Sequence, residues 1–306
     1  MQSQNLTPEQ QEKVGVCKTA VKGRGAIEAL ARRFPQLYVA PAEGTQDAHR
    51  LARTQGIAPE DANLEHFVGS EEDELREVET PAGPVEVLFL KNRKDFETFL
   101  QIVSHKSQPA PIARTVGAIT YRGLADWGAV TRAHVEYLAQ GGADWSAEFA
   151  RLAAQPGTFR AELVVISEGP YSNIAAESTP FDEGEWLRVS REVRLHHECA
   201  HVVCRRTMPD DILPIWDEVT ADVVGLLCAT GRYDSALAAL FLGVAPDGFA
   251  DGRLVEYLND EQKAHIDEIS VDVHSALEQI ESLSQEGVAD PFDFLLSLKR
   301  APIIDF

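Results

Sequence analysis

The segment LHHECAHVVCRR, residues 195–206, constrains the fold of this chain more than any other stretch of its sequence. His197 and His201 are four residues apart, which in an α-helix is just over one turn and a rise of about 6 Å. Both imidazoles would then leave the same face and could converge on one cation. A helix is predicted over about 187–206, because Pro209 cannot continue it. Neutral imidazole is a preferred ligand of Zn²⁺, so this helix predicts a metal site.

A second helical pattern, PIWDEVTADVVGLL at residues 214–227, follows after only a few residues. So short a connection predicts that the two helices are antiparallel neighbours. His201 lies near the end of the first helix and Glu218 equally near the start of the second, so the two should stand level. His197 and Asp222 each lie four residues further away and should also stand level. The sequence thus predicts a ladder of two histidine–carboxylate pairs.

The side chains of these two pairs, together with Glu198, are sufficient for a complete metal site. His197, His201 and Glu218 form a His₂Glu ligand set that leaves one position open to water. Asp222 can accept the other N–H of His197 and so fix the tautomer of that ring. Glu198 follows His197 directly and is placed to accept a proton from an activated water rather than to bind the metal. We therefore predict Zn²⁺ as the cofactor and Glu198 as a general base.

Asp217 is the neighbouring carboxylate that could replace Glu218 in this site. The two side chains are about 100° apart around a helix, so only one of them should face His201. The register favours Glu218. Asp217 is therefore expected to lie away from the metal, and its loss should leave metal binding intact.

The pattern HECAH followed by E-x-x-x-D resembles the gluzincin class of zinc metallopeptidases, of which thermolysin-like enzymes are familiar members. The resemblance covers residues 197–222 and the strand-then-helix order before them. It implies a zincin-like α+β fold and hydrolysis of peptide bonds. It also implies two zinc-binding histidines, a zinc-binding glutamate, a general base and an aspartate that supports a histidine; these would be His197 and His201, Glu218, Glu198 and Asp222.

The resemblance further implies an edge strand beside the active-site helix, against which an extended peptide substrate could pair. The candidates are AELVVISEG at 161–169 and VGAITYRG at 116–123. A tetrahedral intermediate also needs an electrophilic donor, often Tyr, His or Arg. Tyr171, just after the stronger strand, is the predicted catalytic donor, and His274 and Tyr233 are the alternatives.

The rest of the sequence predicts an α+β chain, with a mixed sheet and the active-site helix followed by almost only helices. Helical structure that is broken around Lys22–Gly25 is predicted over 8–33, a short strand at 35–41, and a hairpin at 76–90 around the Pro-Ala-Gly-Pro turn. Three segments are expected, and they could form one compact unit. They are a mostly helical region at 1–70, a mixed α/β part at 71–206 that ends in the active-site helix, and a helical part at 207–306 that completes the zinc site.

Charge and hydropathy exclude several partners. The chain has 306 residues, a formal net charge of −21 and 44% apolar residues. An acidic field repels a phosphate backbone, so no nucleic-acid partner is expected. No apolar run approaches the roughly 20 residues of a membrane span, so no membrane partner is expected either. The polar N-terminus has no visible secretory signal and the four cysteines form no CxxC pair, which predicts buried free thiols and a cytoplasmic location.

The leading hypothesis is a zinc-dependent hydrolase, a peptidase that attacks a peptide or protein substrate with activated water. One alternative is a metal-stabilised binding or regulatory module with the same ligands and no turnover. Glu198 favours catalysis, because metal binding alone does not need it. A second alternative is a helical scaffold without metal, in which His197 and Glu218 simply hydrogen-bond. The sequence defines neither the substrate nor the oligomeric state.

Overall fold

The computed structural model describes residues 20–208 and 214–304 of the chain. Over these residues a mixed sheet is followed by a mostly helical part, so the predicted α+β class is confirmed. The zincin-like arrangement stays a prediction. The helices and strands are β1 (Val21–Lys22), α1 (Gly25–Arg33), α2 (Gln46–Gln55), β2 (Glu74–Val78), β3 (Val85–Leu90), α3 (Arg93–Val103), β4 (Ala118–Ala125), α4 (Trp127–Ala139), α5 (Trp145–Ala153), β5 (Arg160–Ser167), α6 (Glu183–Thr207), α7 (Pro214–Thr230), α8 (Ser235–Leu242), β6 (Val244–Ala245), β7 (Gly248–Phe249), α9 (Asp260–Lys263), α10 (Ile266–Gln285) and α11 (Pro291–Arg300), with short 3₁₀ helices at Pro35–Tyr38, Tyr171–Asn173, Ala176–Ser178 and Arg253–Tyr257.

The described residues divide into two compact units. The first contains 20–78, 85–112 and 120–167, and the second contains 79–84, 113–119 and the described part of 168–306. These bounds differ from the three segments expected from the sequence. Helix α6, which was expected to close a mixed segment, belongs to the same unit as the helices that follow it.

The first unit is built on a five-stranded sheet in the order β1-β2-β3-β5-β4. β2 pairs antiparallel with β1 and with β3, and the predicted hairpin at 76–90 is confirmed. β3 and β5 pair in parallel, with Leu88 opposite Val165. β3 and residues 163–166 of β5 are almost continuously apolar and buried, as is typical of buried parallel strands. β4 lies at one edge of the sheet, whereas β5 lies in its interior.

A group of buried charges joins three elements of the first unit, and we call Arg33, Glu86 and Asp126 the arginine cluster. Arg33 Nη1 donates to Glu86 Oε1 at 2.5 Å, and Arg33 Nη2 donates to Asp126 Oδ2 at 2.9 Å. The other Asp126 oxygen accepts the backbone N–H of Ala129 at 2.9 Å and so caps α4. Each charge in this cluster therefore has a partner within the protein.

Two expectations for the first unit are revised by the structure. The strand predicted at 35–41 is wrong, since Pro35–Tyr38 form a 3₁₀ helix. Proline at the first position suits a helix, because its φ is already fixed and its missing N–H would have had no partner there. Of the helical structure predicted over 8–33, residues 8–19 lie outside the described residues, as does Cys17; β1 and α1 occupy most of the remainder.

The second unit is centred on α6 and α7. Asp182 accepts the backbone N–H of Glu185 at 2.8 Å and so caps the 25-residue helix α6. The contacts between the two helices run in opposite directions along the chain, so α6 and α7 are antiparallel, as predicted. Gly225 permits their close approach, because a Cβ at that position would lie 2.9 Å from the carbonyl oxygen of Val193.

Large aromatic side chains fill the core of the second unit. Trp186 and Trp216 are each 1% exposed and belong to its main apolar cluster. The indole N–H of Trp216 donates to the carbonyl of Leu298 at 3.2 Å and so joins α7 to α11. Within 20–208 and 214–304, no helix is long and apolar enough to cross a membrane.

Candidate metal centre

Three potential ligand atoms converge between α6 and α7, and we call His197, His201 and Glu218 the metal triad. The Nε2 atoms of the two histidines are 3.0 Å apart, and each lies 3.4 Å from one oxygen of Glu218. Ligand atoms about 2.0–2.1 Å from a tetrahedral zinc ion would be about 3.3 Å from each other. The spacing within the triad therefore fits a small divalent cation.

Asp222 and Asp217 bind the opposite edges of the two rings. His197 Nδ1 lies 2.8 Å from Asp222 Oδ1, and His201 Nδ1 lies 2.8 Å from Asp217 Oδ2. The expectation that only one of Asp217 and Glu218 faces His201 is therefore wrong. An imidazole has nitrogens on two edges, so two carboxylates about 100° apart on a helix can each reach one of them.

These contacts determine where the hydrogens of the two rings lie. An Nδ1 beside a carboxylate carries the hydrogen, so in a neutral ring Nε2 presents its lone pair. Two such lone pairs and the Glu218 carboxylate then face one another with no hydrogen between them, which is unfavourable unless protons or a cation enter. Two imidazoles and one carboxylate are also the protein ligands of His₂Glu zinc sites. The triad therefore fits Zn²⁺.

Protonation of the metal-free triad follows from its burial and its carboxylates. Burial alone would lower the pKa of His201, but hydrogen bonds to Asp217 and Glu218 raise this pKa to about 10. Burial would likewise raise the pKa of Glu218, but the two imidazoles hold it well below its usual range. Without metal, the rings therefore gather protons while the carboxylate stays ionised.

A buried cation lies behind each supporting aspartate. Asp222 Oδ2 accepts from Arg253 Nη2 at 2.6 Å, and Asp217 Oδ1 accepts from Lys299 Nζ. The side chains of Arg253 and Lys299 are 10% and 0% exposed, so neither charge is solvated by bulk water. These cations offset the negative charge that the carboxylates would otherwise concentrate around the triad.

A cavity of about 190 Å³ opens beside the triad, and we call it the site cavity. Glu198 lines it and is 9% exposed. At about 30 Å³ per water molecule, the site cavity has room for a reacting group rather than for a whole substrate. Residues 115–118, which lead into the edge strand β4, also line it. Of the two expected edge strands, 116–123 contributes its residues 116–118 to the cavity wall, whereas 161–169 overlaps the interior strand β5.

Tyr171 lines the site cavity and contacts the supporting side of a ligand ring. Its hydroxyl donates to Asp222 Oδ1 at 2.5 Å and lies 3.1 Å from His197 Nδ1. These contacts are on the Nδ1 side of the ring, away from the Nε2 atoms of the triad. They place Tyr171 to orient Asp222 and His197, and its predicted role as catalytic donor stays a prediction. The two alternatives, Tyr233 and His274, do not line the site cavity.

Tyr257 and Arg253 line the site cavity, and the sequence analysis missed both. Arg253 Nη1 donates to the Tyr257 hydroxyl at 3.3 Å, and this hydroxyl also bonds Glu218. Burial, together with the charges of Glu218 and Asp222, raises the pKa of Tyr257 above its ordinary value despite Arg253. The phenol therefore keeps its proton and donates it in a hydrogen bond to Glu218.

A tight turn between two glycines holds the 3₁₀ helix Arg253–Tyr257 in place. A Cβ on Gly243 would lie 2.2 Å from the carbonyl carbon of Asp251, and a Cβ on Gly252 would lie 2.3 Å from the nitrogen of Gly243. Gly243 also has φ +72°, which favours glycine. The glycines of GVAPDGFADG, 243–252, therefore indicate a turn. Their spacing does not predict which side chains after the turn lie at the site.

Comparison with known proteins gives one match. The sequence profile described as Family of unknown function (DUF7005) matches residues 2–293. No curated protein and no solved structure matches the chain. The chemistry of the site is therefore inferred from its own geometry.

Proposed function

The chain belongs to the family of unknown function DUF7005, and from the metal triad we propose that it is a zinc-dependent hydrolase that cleaves peptide bonds. One observation carries the proposal: two Nε2 atoms and a carboxylate converge at 3.0–3.4 Å in a cavity that Glu198 also lines. A scaffold held by hydrogen bonds has no need to bring two imidazole acceptors so close together. Nor does a site that only binds metal need a second glutamate in its cavity.

Each residue of the site has a separate role in the proposed hydrolysis. When bound, zinc supplies Lewis-acid chemistry, since it acidifies water and polarises a carbonyl group. Glu198 accepts the proton of the attacking water as the water oxygen bonds to the scissile carbonyl carbon. It then gives this proton to the leaving nitrogen as the C–N bond breaks, which produces an acid and an amine. Asp222 and Asp217 hold the two ligand rings by their Nδ1 atoms.

We assign to Tyr257 the role of electrophilic donor, which the sequence predicted for Tyr171. Its hydroxyl lies at the site cavity, bonds Glu218 and keeps its proton. When Glu218 binds zinc, this phenol can turn its one O–H from the carboxylate to the oxygen that gains negative charge in the tetrahedral intermediate. Tyr171 instead acts through Asp222 and His197.

An extended peptide substrate is supported by the wall of the site cavity. Residues 115–118 line the cavity and lead into β4, an edge strand. An edge strand is where an extended peptide commonly adds to a sheet through main-chain hydrogen bonds. The small volume of the cavity suits the scissile group, with the remainder of the peptide outside it.

A cytoplasmic location is part of the same proposal. Among the described cysteines, Cys199 and Cys204 are buried, Cys228 is partly buried, and none forms a disulfide. Cysteines that form no disulfide are usual in a reducing compartment.

The test compares Glu198→Gln with the wild type for zinc content and for cleavage of a mixed peptide library. The amide has the shape of the carboxylate but cannot take a proton, so we expect zinc to stay bound and turnover to fall by about 10²–10⁴-fold. Glu183→Gln is the matched control, because it makes the same change at an exposed position of the same helix. It should leave both zinc content and cleavage unchanged.

Each other result favours a different class of protein. Zinc bound without cleavage in either protein would favour the binding or regulatory module. A wild type that takes up no zinc would favour the metal-free scaffold. Cleavage that is equal in Glu198→Gln and the wild type would remove Glu198 from the reaction.

A further inference from the structure

We propose that Lys299, near the end of α11, is a positioning residue for the metal triad that acts through Asp217 on His201. The inference rests on the metal site of the proposed function. Lys299 Nζ donates to Asp217 Oδ1, and the other oxygen of that carboxylate lies 2.8 Å from His201 Nδ1. A continuous set of contacts therefore leads from α11 to a ligand ring.

The burial of Lys299 requires a reason beyond docking of the helix. Its side chain is 0% exposed, and lysine is almost never fully buried unless it is paired. α11 already has an apolar attachment, with Leu295 and Leu298 buried and the Leu298 carbonyl bound by Trp216. An apolar residue would serve docking at least as well, because a buried ammonium ion carries a desolvation cost. The charge is explained by its partner, Asp217.

The other ligand histidine has the same arrangement. His197 Nδ1 contacts Asp222 Oδ1, and Asp222 Oδ2 accepts from Arg253 at 2.6 Å. In both cases a carboxylate uses one oxygen for the ligand ring and the other for a buried cation. The repetition on two separate rings points to support of the ligands as the common purpose.

Asp217 depends on its cation more than Asp222 does. The Asp222 side chain is 2% exposed and accepts a further hydrogen bond from Tyr171, whereas the Asp217 side chain is 34% exposed. An exposed carboxylate can rotate towards water and release the ring it supports. Lys299 opposes that rotation, so it keeps His201 Nε2 directed at the triad.

The test measures zinc affinity by competition with a chelator, together with the melting temperature of the metal-free protein. Partners that support a ligand ring are worth about 10–100-fold in metal affinity. Lys299 is one contact further away, so we expect Lys299→Met to weaken zinc binding by about 3–10-fold. Arg300→Met is the matched control, because it removes a cation from an exposed position of the same helix and should leave zinc affinity unchanged.

A second variant keeps the proposal testable if Lys299→Met folds poorly. Asp217→Asn can still accept the N–H of His201 but has no charge to attract Lys299, so it should weaken zinc binding by a similar factor. In the double variant the two losses of zinc affinity should not add, because both substitutions break the same set of contacts. Additive losses would overturn the route through Asp217.

A purely structural role predicts a different pattern. Lys299→Met would then lower the melting temperature of the metal-free protein and leave zinc affinity at the wild-type value, and this result would overturn the proposal. Peptide cleavage is not needed for the decision. A wild type that binds zinc but shows no dependence on Glu198 would therefore end the proposed hydrolysis and leave the role of Lys299 standing.

Discussion

The arginine cluster of the first unit and the metal triad of the second are both buried groups of charged side chains, but they differ in how their charges are matched. Arg33 places donors on two carboxylates, and Asp126 also accepts a backbone N–H. The triad places two imidazole acceptors and a carboxylate against each other at 3.0–3.4 Å. The first group is complete within the protein, whereas the facing atoms of the second need added protons or a metal cation between them.

Under the proposed function, this difference distinguishes a structural group from a metal-binding one, although the two groups are alike in charge and burial. Both groups contain acidic side chains that are mostly hidden from solvent. Removing a member of the arginine cluster leaves a charged partner unpaired and should lower stability. Removing a member of the metal triad should mainly lower metal affinity.

The largest expected effect is a loss of stability when the arginine cluster is broken. Arg33→Met should lower the free energy of unfolding by about 3–5 kcal/mol, because two buried carboxylates lose their cation. Urea unfolding measures the change, and zinc content should stay that of the wild type. Arg32→Met, at the exposed neighbouring position, is the control and should change stability little. Loss of zinc in Arg33→Met would contradict the separation of the two groups.

Glu218→Ala should have the next largest effect, on metal affinity. It removes a ligand, so zinc binding should weaken by more than the roughly 100-fold that loss of a supporting residue can cause. Elemental analysis and chelator competition measure this change, and Glu278→Ala, an exposed change on α10, is the control. If zinc affinity stays within tenfold of the wild type, Glu218 is not a ligand.

Asp222→Ala should have a smaller effect on the same measurement. It leaves the ligands in place but removes the acceptor of His197 and leaves Arg253 without its partner, so affinity should fall by about 10–100-fold. Asp222→Asn should do less damage, since an amide oxygen still accepts the ring N–H. Equal damage by both variants would mean that the charge of Asp222, and not its hydrogen bond, supports the ring.

The last expected effect is a pH dependence of the metal-free protein. The folded pKa of His201, about 10, exceeds the ordinary value of about 6.5. The stability that the charged ring contributes is therefore complete below pH 6.5 and is lost as the pH rises towards 10. Zinc can replace this charge, so the zinc-loaded protein should depend less on pH over the same range.

Melting temperatures of metal-free wild type and His201→Ala between pH 6 and 10 test this expectation. Each kcal/mol is worth about 2–4 °C, and the advantage of the wild type should shrink as the pH rises. A difference between the two proteins that does not change with pH would mean that His201 is already neutral at pH 6.

The triad could be located from the sequence because its residues lie on two consecutive helices that are joined by a short connection. Helix spacing and one short connection predict that His201 meets Glu218 and that His197 meets Asp222, and the structure brings both pairs together. The helical register alone does not predict the contact of Asp217 with His201. One imidazole offers two separate nitrogens, so two carboxylates that point in different directions can both reach it.

Arg253, Tyr257 and Lys299 could not be found in the same way. Arg253 and Lys299 reach their aspartates across 31 and 82 residues of chain, through a turn and a terminal helix whose packing no local period describes. Tyr171 was found for its place after a strong strand, but the orientation of its hydroxyl depends on the buried partners around it. Such residues are specified by tertiary packing rather than by spacing in the sequence.

The distance along the chain between Asp217 and Lys299 also sets an order in time. A ribosome adds about 5–20 residues per second, so the lysine is joined to the chain about 4–16 s after the aspartate, 82 residues earlier. During that interval both histidines and Glu218 already exist, but the ring of His201 has only part of its support. If Lys299 positions the triad as proposed, the centre reaches its full affinity for metal only after residue 299 has been made.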